Sequence, residues 1–281
     1  MTDRLQQLLG LLDLETIEEN FFRGLSTKNV GPRIFGGEVM AQALVAGART
    51  LPADHGLLAN SLHGYFLRPG NIHVPILFRV ERIRDGKSFC TRRVVAQQKG
   101  EAIFSMDLSF HKAESGFDHH LPMPDDIASI EQAEARKAEF QQAYSQMQPR
   151  FQSKRPFQII DAPPKPGELA SKRVWFKPQG IVPDDPILHQ ALLAFLSDMG
   201  LMGTSRIPHR QHKRSQLIGA SLDHAMWFHR PFKLDDWLMY DTDAPISAHA
   251  RGFNRGMIYS RHGVLIASTQ QESLMRIKRA P

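Results

Sequence analysis

The sequence predicts an α+β protein in which one unit, a buried helix wrapped by an antiparallel β-sheet, occurs twice. Three observations favour this fold. Two helical stretches, residues 38–49 and 184–200, are strongly apolar and need to be covered. Segments of alternating apolar and polar residues, separated by short turns, follow each helix and are typical of antiparallel meanders. Short motifs of the first half recur, in the same order, in the second half.

The first half starts with an amphipathic helix and a strand within residues 5–22. Gly36 and Gly37 then open the first apolar helix. Two glycines at the start of a helix expose N–H groups that can bind an anion or a developing oxyanion, although such a pair is more often only a turn. Four strands are predicted after this helix, at residues 61–68, 76–84, 89–98 and 102–111.

A polar, proline-rich stretch at residues 116–172 separates the two halves. It includes a polar helical pattern at residues 125–147, and we interpret it as a connection that covers the surface. The order of elements then restarts with the second apolar helix and a basic loop at residues 206–214. Four further strands are predicted at residues 217–229, 237–244, 247–260 and 264–275. We therefore expect an N-terminal unit at 1–115 and a C-terminal unit at 173–281.

The second apolar helix has recognisable signals at both ends. Asp184 or Asp185 can cap its N-terminus, and Pro186 fits the first helical position. Gly200 can adopt the left-handed conformation that closes a helix. Asp198 lies in the last turn, where lost hydration and the negative end of the helix dipole both favour the protonated carboxyl. A buried acid there indicates a function, whereas an ordinary exposed helix end is the alternative.

Two pairs of motifs align the halves. Tyr-Phe-Leu-Arg-Pro at 65–69 corresponds to Trp-Phe-His-Arg-Pro at 227–231, an offset of 230 − 68 = 162. Gly-Glu-Ala-Ile-Phe-Ser at 100–105 corresponds to Gly-Val-Leu-Ile-Ala-Ser at 263–268, an offset of 263 − 100 = 163. Nearly equal offsets in the same order indicate a duplication. Two such sheets can join edge to edge, which removes two exposed edges.

A duplicated fold can keep one polar site and lose the other, so we compared the halves near their helices and inner strands. Gln271 corresponds to Leu108 by the offset of 163, and Ser221 falls near residues 59–60. Asp198 has no certain counterpart, and the nearest relatives on the first helix are Gln42 and the small residues after it. The second half therefore holds the richer polar set.

Composition excludes several classes of site. The 281 residues contain one cysteine, Cys90, which excludes an internal disulfide and a cysteine-based zinc site. No apolar window approaches the length of a membrane span, and no signal peptide or peroxisomal address is recognisable, so we expect a cytoplasmic protein. The net charge of +6 suits an anionic partner. No nucleic-acid-binding motif is present, and a phosphate-bearing small ligand is compatible with this charge.

Four motifs resemble those of a known family. They are Phe-Gly-Gly-Glu-Val at 35–39, Tyr-Phe-Leu-Arg-Pro-Gly at 65–70, Asp-His-Ala-Met-Trp-Phe-His-Arg-Pro-Phe at 223–232 and Ala-Arg-Gly-Phe at 250–253. They resemble acyl-CoA thioesterase II, the double-hotdog thioesterases of bacteria and peroxisomes, over nearly the whole chain. The resemblance implies a double hotdog, in which each repeat has a long central helix wrapped by an antiparallel sheet. It also implies hydrolysis of medium- to long-chain fatty acyl-CoA.

The resemblance places the family's catalytic set on Asp198, Ser221 and Gln271. The family more often has Thr at the position of Ser221. No Gly-x-Ser-x-Gly elbow is present, so we predict direct attack by water without an acyl-enzyme. Asp198 is then the general base, Ser221 and Gln271 position the water, and the helix that starts at Gly36 and Gly37 is one candidate for the oxyanion donors.

Two other functions fit a hotdog scaffold: a non-enzymatic acyl-CoA-binding protein and an enoyl-CoA hydratase. A hydratase needs an Asp and a His on one loop; residues 184–189 match superficially, but Pro186 and the continuous helix argue against it. The basic residues at 206–214 either contact the CoA phosphates or are solvated, and His63 and His224 are interpreted as buried structural residues. We expect acyl-CoA as substrate, no nucleic-acid or membrane partner, no cofactor or metal, and a homo-oligomer (dimer or tetramer).

Overall fold

The computed structural model of the chain describes residues 4–28, 31–52, 56–136, 156–212 and 216–278. The α-helices are α1 (Arg4–Leu12), α2 (Gly36–Ala48), α3 (Ile130–Ala135) and α4 (Pro186–Ser197), and a 3₁₀ helix covers Leu201–His209. The strands are β1 (Glu15–Glu18), β2 (Phe21–Gly24), β3 (Leu57–Phe66), β4 (Ile76–Asp85), β5 (Phe89–Gln98), β6 (Glu101–Lys112), β7 (Phe157–Ala162), β8 (Ser171–Pro178), β9 (Leu217–Ser221), β10 (Asp223–Phe228), β11 (Leu238–Ala248), β12 (Arg251–Ser260) and β13 (Leu265–Ile277).

The strands form one antiparallel sheet with the order β1-β2-β4-β5-β6-β3-β10-β13-β12-β11-β8-β7, and β9 pairs with β13 outside this path. Read outward from the β3–β10 contact, the first half runs β3, β6, β5, β4, β2, β1 and the second half runs β10, β13, β12, β11, β8, β7. These two orders place equivalent strands at equivalent distances from the contact. His63 pairs with Ala225 at this contact, and 225 − 63 = 162 is the offset of the repeat. The two repeats therefore pair with each other through equivalent residues, and the predicted edge-to-edge union of two helix-and-sheet repeats is confirmed.

The register within each half confirms the alignment of the repeats. Arg92 pairs with Leu108 across β5 and β6. Asn254 pairs with Gln271 across β12 and β13, at offsets of 254 − 92 = 162 and 271 − 108 = 163. The offset grows by one because 16 residues lie between the paired Asn254 and Gln271, whereas 15 lie between the paired Arg92 and Leu108. Leu108 and Gln271 therefore occupy equivalent positions, as the sequence comparison proposed.

The two central helices, α2 and α4, pack against each other and form the main apolar core with the inner face of the sheet. Helix α4 is buried from His189 to Ser197, in agreement with its apolar sequence. The Asp185 carboxylate caps it by accepting a hydrogen bond from Ile187 N at 2.8 Å. Gly200, three residues after the end of α4, adopts the left-handed conformation with φ of +91°. The predicted signals at both ends are confirmed.

Several segments of the second half differ from the prediction, and strands β7 and β8 lie where no strand was expected. The single strand expected at 217–229 is divided at Leu222, whose N–H donates to Glu272 O while its carbonyl accepts from Phe66 N. The chain thus changes partners at this residue, and β9 and β10 contact different parts of β13. The basic loop expected at 206–214 instead begins inside the 3₁₀ helix, which continues to His209.

The connection is fixed to the second half by a buried cation. Arg173 of β8 is fully buried and donates to both carboxylate oxygens of Asp126, at 2.9 and 3.0 Å, and to Asp241 at 3.2 Å. Strand β7, within the predicted connection, pairs with β8 at the end of the sheet. Helix α3 covers only the first part of the helical pattern at 125–147, and the pattern beyond residue 136 lies outside the described residues. Among the described residues, no helix has the length and apolarity to cross a bilayer.

Candidate active site

Asp198 is the C-cap residue of α4 and is nearly buried, with 8% of its surface exposed. The N-terminus of α2 faces it, and Gly37 N donates to Oδ2 at 2.9 Å. This contact requires glycine. A Cβ at Gly36 would lie 2.8 Å from Oδ2, and a Cβ at Gly37 would lie 2.4 Å from Phe195 O. The two glycines therefore let the start of one repeat's helix approach the end of the other's.

Gln271 and Ser221 reach the other carboxylate oxygen of Asp198. Gln271 Nε2 donates to Oδ1 at 2.6 Å from the inner face of β13. Ser221 Oγ, at the end of β9, lies 3.5 Å from the same oxygen, which is longer than an ordinary hydroxyl hydrogen bond. The structure thus brings all three predicted site residues together around one carboxylate.

The surroundings of Asp198 support a negative charge in a buried position. A backbone N–H, a side-chain amide and a hydroxyl all point toward its oxygens. Donors of this kind offset the lost hydration of a carboxylate. The C-terminal end of α4 disfavours the charge, whereas the N-terminal end of α2 favours it. The opposed helix termini therefore explain how an acid is retained in this apolar core.

His224 lies directly behind Gln271. Gln271 Nε2 lies 3.1 Å from His224 Nδ1, so its second N–H faces the imidazole. His224 Nε2 lies 2.9 Å from Ser197 Oγ, and Ser197 Oγ donates to Ala194 O at 2.8 Å. Burial removes the ring from water and lowers the pKa of His224 from 6.5 to about 4, although the Asp198 charge acts in the opposite direction. The imidazole is therefore neutral near pH 7.

Further polar contacts hold the groups around the site. Tyr240 donates its hydroxyl to Ser197 O at 3.0 Å and also lies 2.8 Å from Thr269 Oγ1. Burial raises the pKa of Tyr240, so its hydroxyl stays protonated. Asn254 Nδ2 donates to the backbone carbonyl of Gln271 at 3.3 Å. The end of α4 and the middle of β13 are thus tied to neighbouring strands by hydrogen bonds.

The equivalent region of the first half holds different residues. Arg49 is the C-cap residue of α2, as Asp198 is of α4. Leu62 stands at the position of His224, since 224 − 62 = 162. Arg92, at the position of Asn254, is fully buried and donates to Thr50 Oγ1 at 2.8 Å. The polar set around Asp198 is therefore present once, as the duplication argument expected.

Some predicted functional residues lie elsewhere. Arg206 and His209 belong to the 3₁₀ helix, and residues 213–214 of the basic segment lie outside the described residues. His63 was expected to be buried, but it is exposed on the outer face of β3, edge-on to Trp227 at 5.0 Å. His224 is buried as predicted, and its contact with the site was missed. Within the described residues, no group of three or more His, Cys, Asp or Glu side chains is placed to hold a metal ion.

Two family models match the chain. The first, described as acyl-CoA thioesterase N-terminal domain, matches residues 25–111. The second, described as acyl-CoA thioesterase, matches residues 146–274. One match falls in each repeat, and the second includes Asp198, Ser221, His224 and Gln271.

Curated relatives and solved structures agree with these matches. Acyl-CoA thioesterase 2 of Haemophilus influenzae is 35% identical over 98% of this chain and 99% of its own length. Acyl-coenzyme A thioesterase 8 of Homo sapiens is 34% identical over 95% of this chain and 88% of its own. The crystal structure of an acyl-CoA thioesterase II, TesB2, from Mycobacterium marinum superposes with a TM-score of 0.79 at 38% identity, covering 96% of this chain and 98% of that one. The predicted double-hotdog fold is confirmed.

Proposed function

We propose that this chain, which belongs to the acyl-CoA thioesterase family, hydrolyses medium- to long-chain fatty acyl-CoA by direct attack of water, with Asp198 as the general base. The family membership makes the chain a thioester hydrolase that acts on acyl-CoA. The observation that supports the proposed mechanism is the meeting of Asp198, Ser221 and Gln271 around one buried carboxylate.

The proposed reaction has one base and one nucleophile. Water attacks the thioester carbonyl carbon while Asp198 accepts a proton from it, and a tetrahedral oxyanion forms. The C–S bond then breaks, CoA leaves as the thiolate, and the proton held by Asp198 is available to neutralise it. The products are the free fatty acid and CoA. A base within hydrogen-bond reach of the water contributes about 10²- to 10⁴-fold to such a step.

Ser221 and Gln271 position the attacking water in different ways. Ser221 Oγ lies beside Oδ1 of Asp198 at a distance too long for a strong direct bond, so its hydroxyl is suited to hold a water against that oxygen. Gln271 directs its two N–H groups to Asp198 and His224. It therefore acts on the water chiefly by holding the carboxylate that binds it.

The start of α2 is the proposed source of the oxyanion donor. Gly37 N already points into the site and donates to Asp198 at 2.9 Å. A helix N-terminus carries free N–H groups and partial positive charge, which stabilise a developing oxyanion. We propose that the thioester oxygen competes with Asp198 Oδ2 for this donor. The site is then completed by the first repeat, although its three side chains come from the second.

The geometry does not favour the hydratase alternative. The Asp and His of residues 184–189 lie at the opposite end of α4 from Asp198 and have separate structural partners. The Asp185 carboxylate caps the helix, and His189 Nδ1 accepts a hydrogen bond from Leu234 N at 3.1 Å. Neither group is joined to the other, so no acid–base pair forms there.

Thiol release from an acyl-CoA series tests the proposal. We expect turnover of octanoyl- to palmitoyl-CoA to exceed that of acetyl-CoA, and Asp198→Asn to lower kcat by about 10²-fold or more. Asp184→Asn is the matched control, because this carboxylate is exposed at the other end of the same helix and pairs with Lys233 at 2.7 Å. Full activity of a folded Asp198→Asn variant would remove the general-base role. Absence of thiol release from every acyl length would remove the hydrolase itself.

A homo-oligomer and a cytoplasmic location remain proposals. Size-exclusion chromatography with light scattering measures the first. A mass equal to one chain across a wide concentration range would contradict it.

A further inference from the structure

We infer that His224 is a positioning residue of the active site: its Nδ1 accepts a hydrogen bond from Gln271 and thereby holds the Gln271 amide with its nitrogen toward Asp198. This inference rests on the proposed role of the Asp198 site. It adds a fourth side chain to the three already named. His224 touches neither water nor substrate in the proposed mechanism, so its effect passes through Gln271.

The amide of Gln271 has two orientations of nearly the same shape, and only one is useful. In the observed orientation, Nε2 donates to Asp198 Oδ1 at 2.6 Å and to His224 Nδ1 at 3.1 Å. Oε1 accepts from Ser273 Oγ at 3.3 Å. The reversed amide would place its oxygen against a carboxylate oxygen and against the lone pair of the imidazole. Both contacts would be repulsive in this buried site.

The direction of every hydrogen bond in this chain of contacts follows from one backbone carbonyl. Ala194 O can only accept, so Ser197 directs its single proton to it at 2.8 Å. The Ser197 oxygen then accepts from His224, which places the imidazole proton on Nε2. Nδ1 is left as an acceptor, and the donor that faces it is Gln271. The contacts run from Ser197 through His224 and Gln271 to Asp198, so they begin and end on two consecutive residues at the end of α4.

The two repeats provide an internal comparison. Leu62 and Leu108 stand at the positions of His224 and Gln271 in the first half, where the C-cap residue is Arg49. Leucine therefore fits both positions of this fold. The buried His–Gln pair occurs only in the half that has the carboxylate, although burying two polar groups is costly unless their hydrogen bonds are satisfied. This pattern is expected if the His224–Gln271 pair is retained because it positions the Asp198 carboxylate.

A double-mutant cycle tests whether His224 acts through Gln271. We expect His224→Leu to lower kcat for palmitoyl-CoA by about tenfold with a much smaller change in KM, since residues in direct contact act non-additively. In a Gln271→Leu background the same change should alter kcat less than twofold. An equal loss in both backgrounds would overturn the inference, because a purely structural role does not depend on Gln271.

If His224→Leu does not fold, two variants with amide side chains still test the inference. His224→Asn can place an oxygen acceptor near the position of Nδ1, whereas His224→Gln extends its amide toward the position of Nε2. We expect the Asn variant to retain several-fold more activity than the Gln variant at equal thermal stability. Equal kcat values for the two would overturn the inference. The outcome is separable from the proposed function, which fails only if folded Asp198→Asn stays active or no acyl-CoA is hydrolysed.

Discussion

His224 should make the folded protein sensitive to mild acid, and replacing it by leucine should remove that sensitivity. Burial lowers its pKa from 6.5 to about 4 in the folded chain. Between these values the unfolded chain binds a proton that the folded chain does not, so stability falls as the pH falls. The whole difference corresponds to roughly 3 kcal/mol. About 2 kcal/mol of it is lost between pH 7 and pH 5, where His224 is still largely neutral in the fold.

Urea unfolding at the two pH values measures this contribution. The wild-type free energy of unfolding should fall by about 2 kcal/mol more than that of His224→Leu on going from pH 7 to pH 5. The variant is needed because burial also lowers the pKa of His189 and His229, which contribute to both proteins. Parallel losses in wild type and His224→Leu would refute a buried neutral imidazole.

Substitutions at three further positions have defined outcomes. Ser221→Thr should keep kcat within a few-fold because the hydroxyl remains, whereas Ser221→Ala should lose about tenfold or more in the thiol-release assay; equal activities would contradict the role of the hydroxyl. Gly37→Ala should lower both Tm and kcat, since its Cβ would lie 2.4 Å from Phe195 O and push the two helix ends apart; an unchanged kcat would argue against the α2 donor. Arg92→Met should lower stability by about 1–3 kcal/mol, measured by urea unfolding, because the buried hydroxyl and carbonyl of Thr50 lose the donors of Arg92. Activity per folded molecule should then stay near wild type, as Arg92 belongs to the other half.

The features that the sequence predicted well depend on neighbouring residues or on the repeat. Asp185, Pro186 and Gly200 each act within a few residues of a helix end, so their effects are readable without the fold. The equivalence of Leu108 and Gln271 followed from two motif offsets, and strand pairing confirms it. A repeat supplies long-range information that a single sequence otherwise lacks.

Other features depend on contacts that no local pattern specifies. The Asp-His motif singled out His224, but its contact with Gln271 arises between neighbouring strands. The residue of α2 at the same helix end as Asp198, the C-cap Arg49, was not identified, because helix ends and strand motifs align at different offsets in the two halves. The division of a strand at Leu222 follows from its exchange of backbone partners between Phe66 and Glu272. The approach of Gly37 to Asp198 is a contact across 161 positions in the chain.

The site takes groups from both repeats, so the covalent link between the repeats keeps these groups together. The amide of Gly37 comes from one repeat and the carboxylate of Asp198 from the other. Two separate polypeptides with the same surfaces would have to find each other at their bulk concentration, whereas a tether supplies a local concentration of roughly millimolar. The fused chain therefore keeps the contact between Gly37 and Asp198 on dilution, where an equivalent pair of unlinked subunits would dissociate and lose it.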